Sequence, residues 1–405
     1  HTREIAAMAN NIVDAIHVST QGYNRSPLAH MPDTPGALLP LTKAIKEVVT
    51  VPVIAVGRLT PEVAEQAVED GKADIVAFAR ELIADAELPN KVASGRLEDI
   101  RPCIACFYCQ DSRALTHGPL VCAVNAAVVR ERENEIKPAR EVKKIAIIGG
   151  GPAGMEVARV LALRGHKVVL YEKESRLGGQ INLAIVPSHK KDLLEPLITY
   201  LETQLNKLNV EIKLNTEANL ELMDSLRPDV VILAAGVVPI VPQLTGINLD
   251  NVVTANDILA GRAEPGHKIV IVGGGSVGCE TAEFLLEKGK EVTVVEMLPQ
   301  LANDMGFRDK VRLMTRINNL PMTSLTNAKC SQIQKDGITV IDKEDKEQLI
   351  SADTVVLAVG AKRDNSLFPL LRDNGFETHL VGDCSQVGRI AGAITDGFRV
   401  GCTLY

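Results

Sequence analysis

The chain has 405 residues, with 44 Lys and Arg against 51 Asp and Glu, a net charge of −7 and no basic block. At about 150 residues per domain that length gives two or three domains, and the charge disfavours nucleic acid or an anionic membrane as the main partner. Hydrophobic residues at 46% exclude a disordered chain, while the lack of Trp and 3% aromatics disfavour platforms that stack bases or sugars.

The apolar residues are mostly Val, Ile, Leu and Ala, which suits parallel sheets covered by helices. The longest apolar run, Val230 to Leu244, is broken by Gly236, Pro239 and Pro242, so no transmembrane span is expected. No secretory leader is in view, and a cytoplasmic location is expected. Eight cysteines are too few for a disulfide scaffold and fit a reducing compartment with a metal or cluster site. The first residue is His1 rather than Met, as expected of a portion of a longer protein.

In chain order, residues 1–101 alternate apolar strands with helical segments. Asp14 to Ser19 reads as a strand, Leu39 to Val49 as a helix and Val51 to Val56 as a second strand. Thr60 and Pro61 open the next helix as N-cap and first-turn proline, and Asp74 to Phe78 is a third strand. Three strand–helix units suit part of a parallel β/α barrel, whose complete form needs roughly 200 residues or more. A small three-stranded α/β domain is the plainer alternative.

Residues 102–141 hold four cysteines and a charged linker, after which two similar halves begin. Lys144 to Ile148 runs into Gly149-Gly150-Gly151-Pro152-Ala153-Gly154, and Lys268 to Val272 into Gly273-Gly274-Gly275-Ser276-Val277-Gly278, 124 residues further on. Each copy continues with a helix and a second strand, Lys167 to Tyr171 and Glu291 to Val295. A lone G-x-G-x-x-G is weak evidence, but a strand before it and a helix after it supply what a dinucleotide needs. Gly149 and Gly273 make the tight turn, Gly151 and Gly275 let the backbone approach a pyrophosphate, and Gly154 and Gly278 allow close helix–strand packing. Each second strand ends in an acid, Glu172 or Glu296, placed to bond a ribose diol and repel a 2′-phosphate. A solvated strand-end glutamate is the plainer reading of each. With Met297, Leu298 and Pro299 following Glu296 and no arginine nearby, the second site favours NAD over NADP. Two nucleotide folds in one chain suggest a flavin exchanging hydride with a nicotinamide.

On these residues the second part resembles the flavin reductases built from two dinucleotide folds. The resemblance implies FAD on the first fold, whose motif continues through Leu177-Gly178-Gly179-Gln180. It also implies that Asp383, in Val381-Gly382-Asp383, holds the flavin's ribityl chain; alone, that aspartate would read as a helix N-cap. The family's Ala-Thr-Gly strand ending stands here as Ala234-Ala235-Gly236. Disulfide reductases share this fold, but Cys279, Cys330, Cys384 and Cys402 form no local redox pair.

Cys103, Cys106, Cys109 and Cys122 follow a C-x2-C-x2-C-x12-C pattern. Three thiols in one short loop suit the corners of a 4Fe-4S cluster, whereas structural zinc more often uses two separated pairs.

With this quartet between β/α units and a flavin reductase, the whole chain resembles the iron–sulfur branch of the Old Yellow Enzyme family, which includes 2,4-dienoyl-CoA reductase, 2-enoate reductase and trimethylamine dehydrogenase. The resemblance implies an α/β fold: the last three units of a (β/α)8 barrel, then two Rossmann-like domains. It sets residues 1–101 as partial barrel, 102–141 as cluster segment, 142–250 with 363–405 as FAD domain and 251–362 as NAD(H) domain. It also implies that Gly57, Arg58 and Arg80 cradle an FMN phosphate, in line with the barrel rule for strands 7 and 8. Ala79 stands where a glycine is common, and a surface salt bridge is the plainer role for Arg58. The family's first five barrel strands, with its proton donors, would precede His1, so no catalytic acid is assigned. The expected activity is NADH-dependent reduction of a small alkene or acyl-CoA substrate, with electrons passing from NADH to FAD, the cluster and FMN. A homo-oligomer is compatible with this reading. The alternatives are an amine dehydrogenase, against which the intact second fingerprint counts, or an FAD/NADH electron-transfer module.

Overall fold

The structure is a computed structural model that describes residues 1–20 and 34–404. It divides into two compact units, His1–Ala105 and Cys106–Tyr405.

In the first unit the strands Ile16–Val18, Val53–Ala55 and Ile75–Val76 lie side by side in that order, all parallel. The helices Leu39–Lys46 and Pro61–Glu69 connect them. The second helix starts where the sequence places it, because the Thr60 hydroxyl accepts the Val63 N–H at 3.3 Å and Pro61 has no N–H to satisfy. Ala55, Leu59, Ala64, Ala67 and Ala73 close a small core with Leu39. All three strands are shorter than the apolar runs that announce them. Pro52 brings no N–H to the ladder, and Gly57 leaves extended geometry at φ +113°.

The second unit contains the duplication. One five-stranded parallel sheet runs Thr378–Leu380, Val230–Leu233, Lys144–Ile148, Lys167–Tyr171, Glu211–Lys213. The other runs Val252–Thr254, Thr354–Leu357, Lys268–Val272, Glu291–Glu296, Thr323–Thr326, so the glycine-bearing strand is central in both. Chain leaves the first sheet for the second and returns to it at Thr378. Val237–Pro239 and Ala361–Arg363 pair antiparallel where the two crossings meet. The strands beside each fingerprint are buried on both faces, Ile147, Ile232, Ile271 and Val356 all at 0% exposure, which explains runs that are continuously apolar instead of alternating.

Both central helices, Pro152–Leu163 and Ser276–Glu287, follow their glycines directly. The first is buried from Ala153 through Leu161, because the C-terminal helix Ile390–Thr403 packs on it through Gly397 and Gly401. A Cβ on Gly397 would lie 2.6 Å from the Ala153 carbonyl oxygen, so only glycine permits this approach. An antiparallel three-stranded sheet, Ala328–Gln334, Gly337–Asp342 and Glu347–Ser351, is inserted in the second half alone.

Candidate functional site

The two fingerprints have the same local geometry. Gly149 (φ +109°) and Gly273 (φ +106°) make the turn out of the strand, where a side chain would run into the Ala234 or Ala358 carbonyl oxygen. A Cβ on Gly154 would collide with the Gly149 carbonyl oxygen, and one on Gly278 with that of Gly273. Those glycines therefore let the helix sit directly on the turn. Gly151 faces open space, its nearest neighbour across the cleft being the Gly179 Cα at 4.0 Å from an ideal Cβ. Helix N–H groups meeting an uncovered backbone make an anion seat.

Glu172 and Glu296 are buried rather than solvated. Glu172 Oε2 accepts the Gly150 N–H at 2.7 Å and Oε1 the Glu174 N–H at 2.8 Å. Glu296 repeats both bonds, to Gly274 at 2.6 Å and Leu298 at 2.7 Å. Each carboxylate thus holds the middle glycine of its fingerprint and keeps lone-pair capacity for a second donor on each oxygen.

The structure also brings two residues of the first fold together across 203 positions: Gln180 Nε2 donates to Asp383 Oδ2 at 3.4 Å. Asp383 Oδ1 accepts the Gly388 N–H at 3.0 Å, and burial pushes its carboxyl above the usual range. The helix after it begins at Ile390 with Arg389 as N-cap, so capping is not what Asp383 does. Asp304, on the loop after Glu296, bonds to Ser276 at the start of the second helix, a contact that sequence spacing did not flag.

Of the scattered cysteines, Cys279, Cys330 and Cys384 are buried and Cys402 is half-buried. Burial pushes the Cys279 thiol up to about 12, and it donates to the Gly274 carbonyl; Cys330, Cys384 and Cys402 are raised by burial too. Thiols held protonated are poor nucleophiles.

In the first unit, Gly57, Arg58 and Arg80 follow the C-terminal ends of two adjacent parallel strands and so share one end of the sheet. Arg58 has a left-handed backbone (φ 45°), and Arg80 opens the helix Arg80–Ala84 and is half-buried. Of the cysteine quartet, Cys103 belongs to the first unit and Cys106, Cys109 and Cys122 to the second; all four are half-buried. Left-handed Ala105 and Phe107 interrupt the backbone between them. Four thiols are the donor chemistry of an iron–sulfur cluster. Among the described residues, however, no three His, Cys, Asp or Glu side chains are grouped to hold a metal ion. No helix among the described residues is long and apolar enough to cross a membrane.

Fold and fingerprints together define a chain with two dinucleotide-binding folds of one architecture. Residues 143–383 match the model of the pyridine nucleotide-disulphide oxidoreductase family, and residues 3–99 that of the NADH:flavin oxidoreductase / NADH oxidase family. An NADH oxidase of Thermoanaerobacter brockii is 39% identical, over 98% of this chain and 63% of its own length. A cinnamate reductase of Clostridium sporogenes is 37% identical, over 96% of this chain and 58% of its own. A solved 2-naphthoyl-CoA reductase complex superposes with TM-score 0.95 at 34% identity, covering 99% of this chain and 62% of that one. The chain belongs to the 2-enoate reductase-like, Old Yellow Enzyme-related family of NADH:flavin oxidoreductases. It spans about three-fifths of the length of these relatives.

Proposed function

We propose that this chain carries the NADH- and FAD-binding part of an oxidoreductase that reduces an activated C=C bond of the enoate, enone or dienoyl-CoA type. The observation that carries the reading is the doubled site. Two glycine turns share one backbone geometry, each with a buried acid bound to its middle glycine, and one of them has Gln180 and Asp383 brought alongside. The names of the cinnamate and 2-naphthoyl-CoA reductases supply the substrate class.

Residues 142–250 and 363–405 would hold FAD. The Gly149, Gly151 and Gly154 turn seats the diphosphate, Glu172 meets a ribose, Gly179 keeps the cleft clear, and Gln180 with Asp383 meets the ribityl hydroxyls. Residues 251–362 would hold NAD(H) in the same way, through Gly273, Gly275, Gly278 and Glu296. A bound flavin accepts the nicotinamide hydride and passes electrons on singly. The electron order of this reading is NADH, FAD, cluster, FMN. Gly57, Arg58 and Arg80 would face the FMN phosphate, and Cys103, Cys106, Cys109 and Cys122 would hold a 4Fe-4S cluster. The cluster reading rests on the donor chemistry and the spacing of the four thiols.

The test begins with flavin and metal analysis of anaerobically purified protein. FAD and about four irons per chain are expected, as a 4Fe-4S cluster requires, and Cys106→Ser should lose the iron while keeping FAD. Stoichiometric zinc without iron would refute the cluster. NADH should bleach the bound FAD; failure to do so would refute the hydride route. For a protein in which this chain is joined to a complete barrel, oxidation of a secondary or tertiary amine instead of cinnamate-type reduction would replace the substrate class.

A further inference from the structure

The duplicated fold contains its own comparison. Leu177 and Leu301 each lie over the middle glycine of their fingerprint, Gly150 and Gly274. The next residue then pins its loop to that glycine. Gly178 N donates to the Gly150 carbonyl at 2.9 Å, and Ala302 N to the Gly274 carbonyl at 2.7 Å. Two residues further on, the copies diverge in charge: Gln180 in the first, Asp304 in the second. Gln180 turns its amide to Asp383, and the first helix opens with Pro152, which has no N–H. Asp304 instead turns onto the N-terminus of the helix Ser276–Glu287. Its Oδ1 accepts the Ser276 N–H at 2.8 Å and its Oδ2 the Ser276 hydroxyl at 2.5 Å. The open side of Gly275 therefore faces this carboxylate, 3.5 Å from an ideal Cβ, where Gly151 faces only glycine.

We propose that Asp304 is a resident anion on the pyrophosphate seat of the second fold, where it competes with a nicotinamide dinucleotide for the helix donors and limits its affinity. The proposal rests on reading that fold as the nicotinamide site. A diphosphate and a carboxylate want the same N–H groups and repel each other, so one must leave before the other settles. Asp304 is exposed, and its charge moves into water at little cost. Its loop is held at both ends, by Ala302 on Gly274 and by the ion pair of Arg308 with Asp111, which confines the displacement to the few residues between. Ala302 sits at φ 52°, a conformation that L side chains rarely adopt.

The experiment titrates the FAD-loaded chain with ADP-ribose and with NAD+ by calorimetry, comparing wild type with Asp304→Gln, which restores the first fold's residue, and with Asp304→Asn. Both variants should tighten both ligands by about twofold to fivefold, the range that an exposed charge beside a helix N-terminus commands. Unchanged or weaker affinity in the variants, with clear binding by wild type, would overturn the role of Asp304 and leave the second fold as the nicotinamide site. Absence of binding by all three proteins would overturn both.

Discussion

Glu296 uses one oxygen for the Gly274 N–H and the other for the Leu298 N–H, so its carboxylate orders the fingerprint before any ribose arrives. Its replacement leaves two backbone donors without their acceptor, each worth about 1 kcal/mol, and, on the proposed nicotinamide reading, also removes a ribose contact. The ribose cost falls on NADH alone, because the same carboxylate repels the 2′-phosphate of NADPH. Glu296→Ala should raise the NADH dissociation constant by about tenfold or more and that of NADPH by less, as measured by paired titrations. Equal losses would show that Glu296 serves only the backbone. This pair of acids shows how much the sequence discloses at the scale of single residues. Spacing alone located Glu172 and Glu296, because strand length and loop length are local. It could not show that both are buried, since burial is contributed by loops that return over the strand end. Asp304 was illegible for the same reason: its partner Ser276 is 28 residues earlier, and only the folded loop sets the carboxylate over the helix.

At the scale of elements, the helix Pro152–Leu163 carries a buried ion pair, Arg159 Nε and Nη2 bonding Glu156 at 2.9 and 2.7 Å. Glu156 is fully buried and Arg159 nearly so, and removing one partner strands the other charge away from water. Glu156→Ala should destabilise the second unit by about 3–5 kcal/mol in denaturant unfolding, whereas an exposed pair such as Lys346–Glu344 should contribute under about 1 kcal/mol. The helix Phe307–Ile317 holds a different device. Burial pushes the Asp309 carboxyl up to about 6, only partly opposed by Arg312, Lys190 and Arg389 and reinforced by Asp111. The folded state therefore binds this proton more tightly than the unfolded chain, whose carboxyl titrates near 3.8. Stability falls as pH rises from about 4 to about 6 and is flat with respect to this group above that. Asp309→Asn should raise the thermal midpoint at pH 7 and remove that slope; an unchanged slope would assign it to other groups. Neither device shows as a pattern in the sequence. Glu156 and Arg159 stand three residues apart, a spacing that does not disclose burial, and the groups beside Arg159, Tyr200 and Cys402, come from later parts of the chain. The inserted sheet Ala328–Ser351 was missed as well, because its pairings are antiparallel and local while the surrounding rhythm is parallel β/α.

At the scale of the whole molecule, the two units differ in how completely each closes a core. The second has two five-stranded sheets whose central strands are at or near zero exposure. The first has three short strands, and its opening helix Thr2–Ala9 leaves Ile5 and Met8 exposed at 65% and 77%, with Ile12 beyond it at 82%. Apolar side chains so exposed contribute nothing to folding, and roughly 25 cal/mol per Å2 is the stabilisation they forgo. The proposed nucleotide sites of the second unit are built from that unit's own residues, while Gly57, Arg58 and Arg80, proposed to face the FMN phosphate, stand along one end of a sheet of three short strands. The 405-residue chain by itself should therefore take up FAD and reduce artificial acceptors with NADH, yet retain little FMN and fail to reduce enoates. Flavin extraction and chromatography should find FAD well above FMN, with dye reduction present and cinnamate- or dienoyl-CoA-type reduction absent. Limited proteolysis should cut residues 1–101 before it cuts the second unit, since exposed backbone in a small core opens first. Stoichiometric FMN with brisk alkene reduction would show that three strands suffice to build the second flavin site.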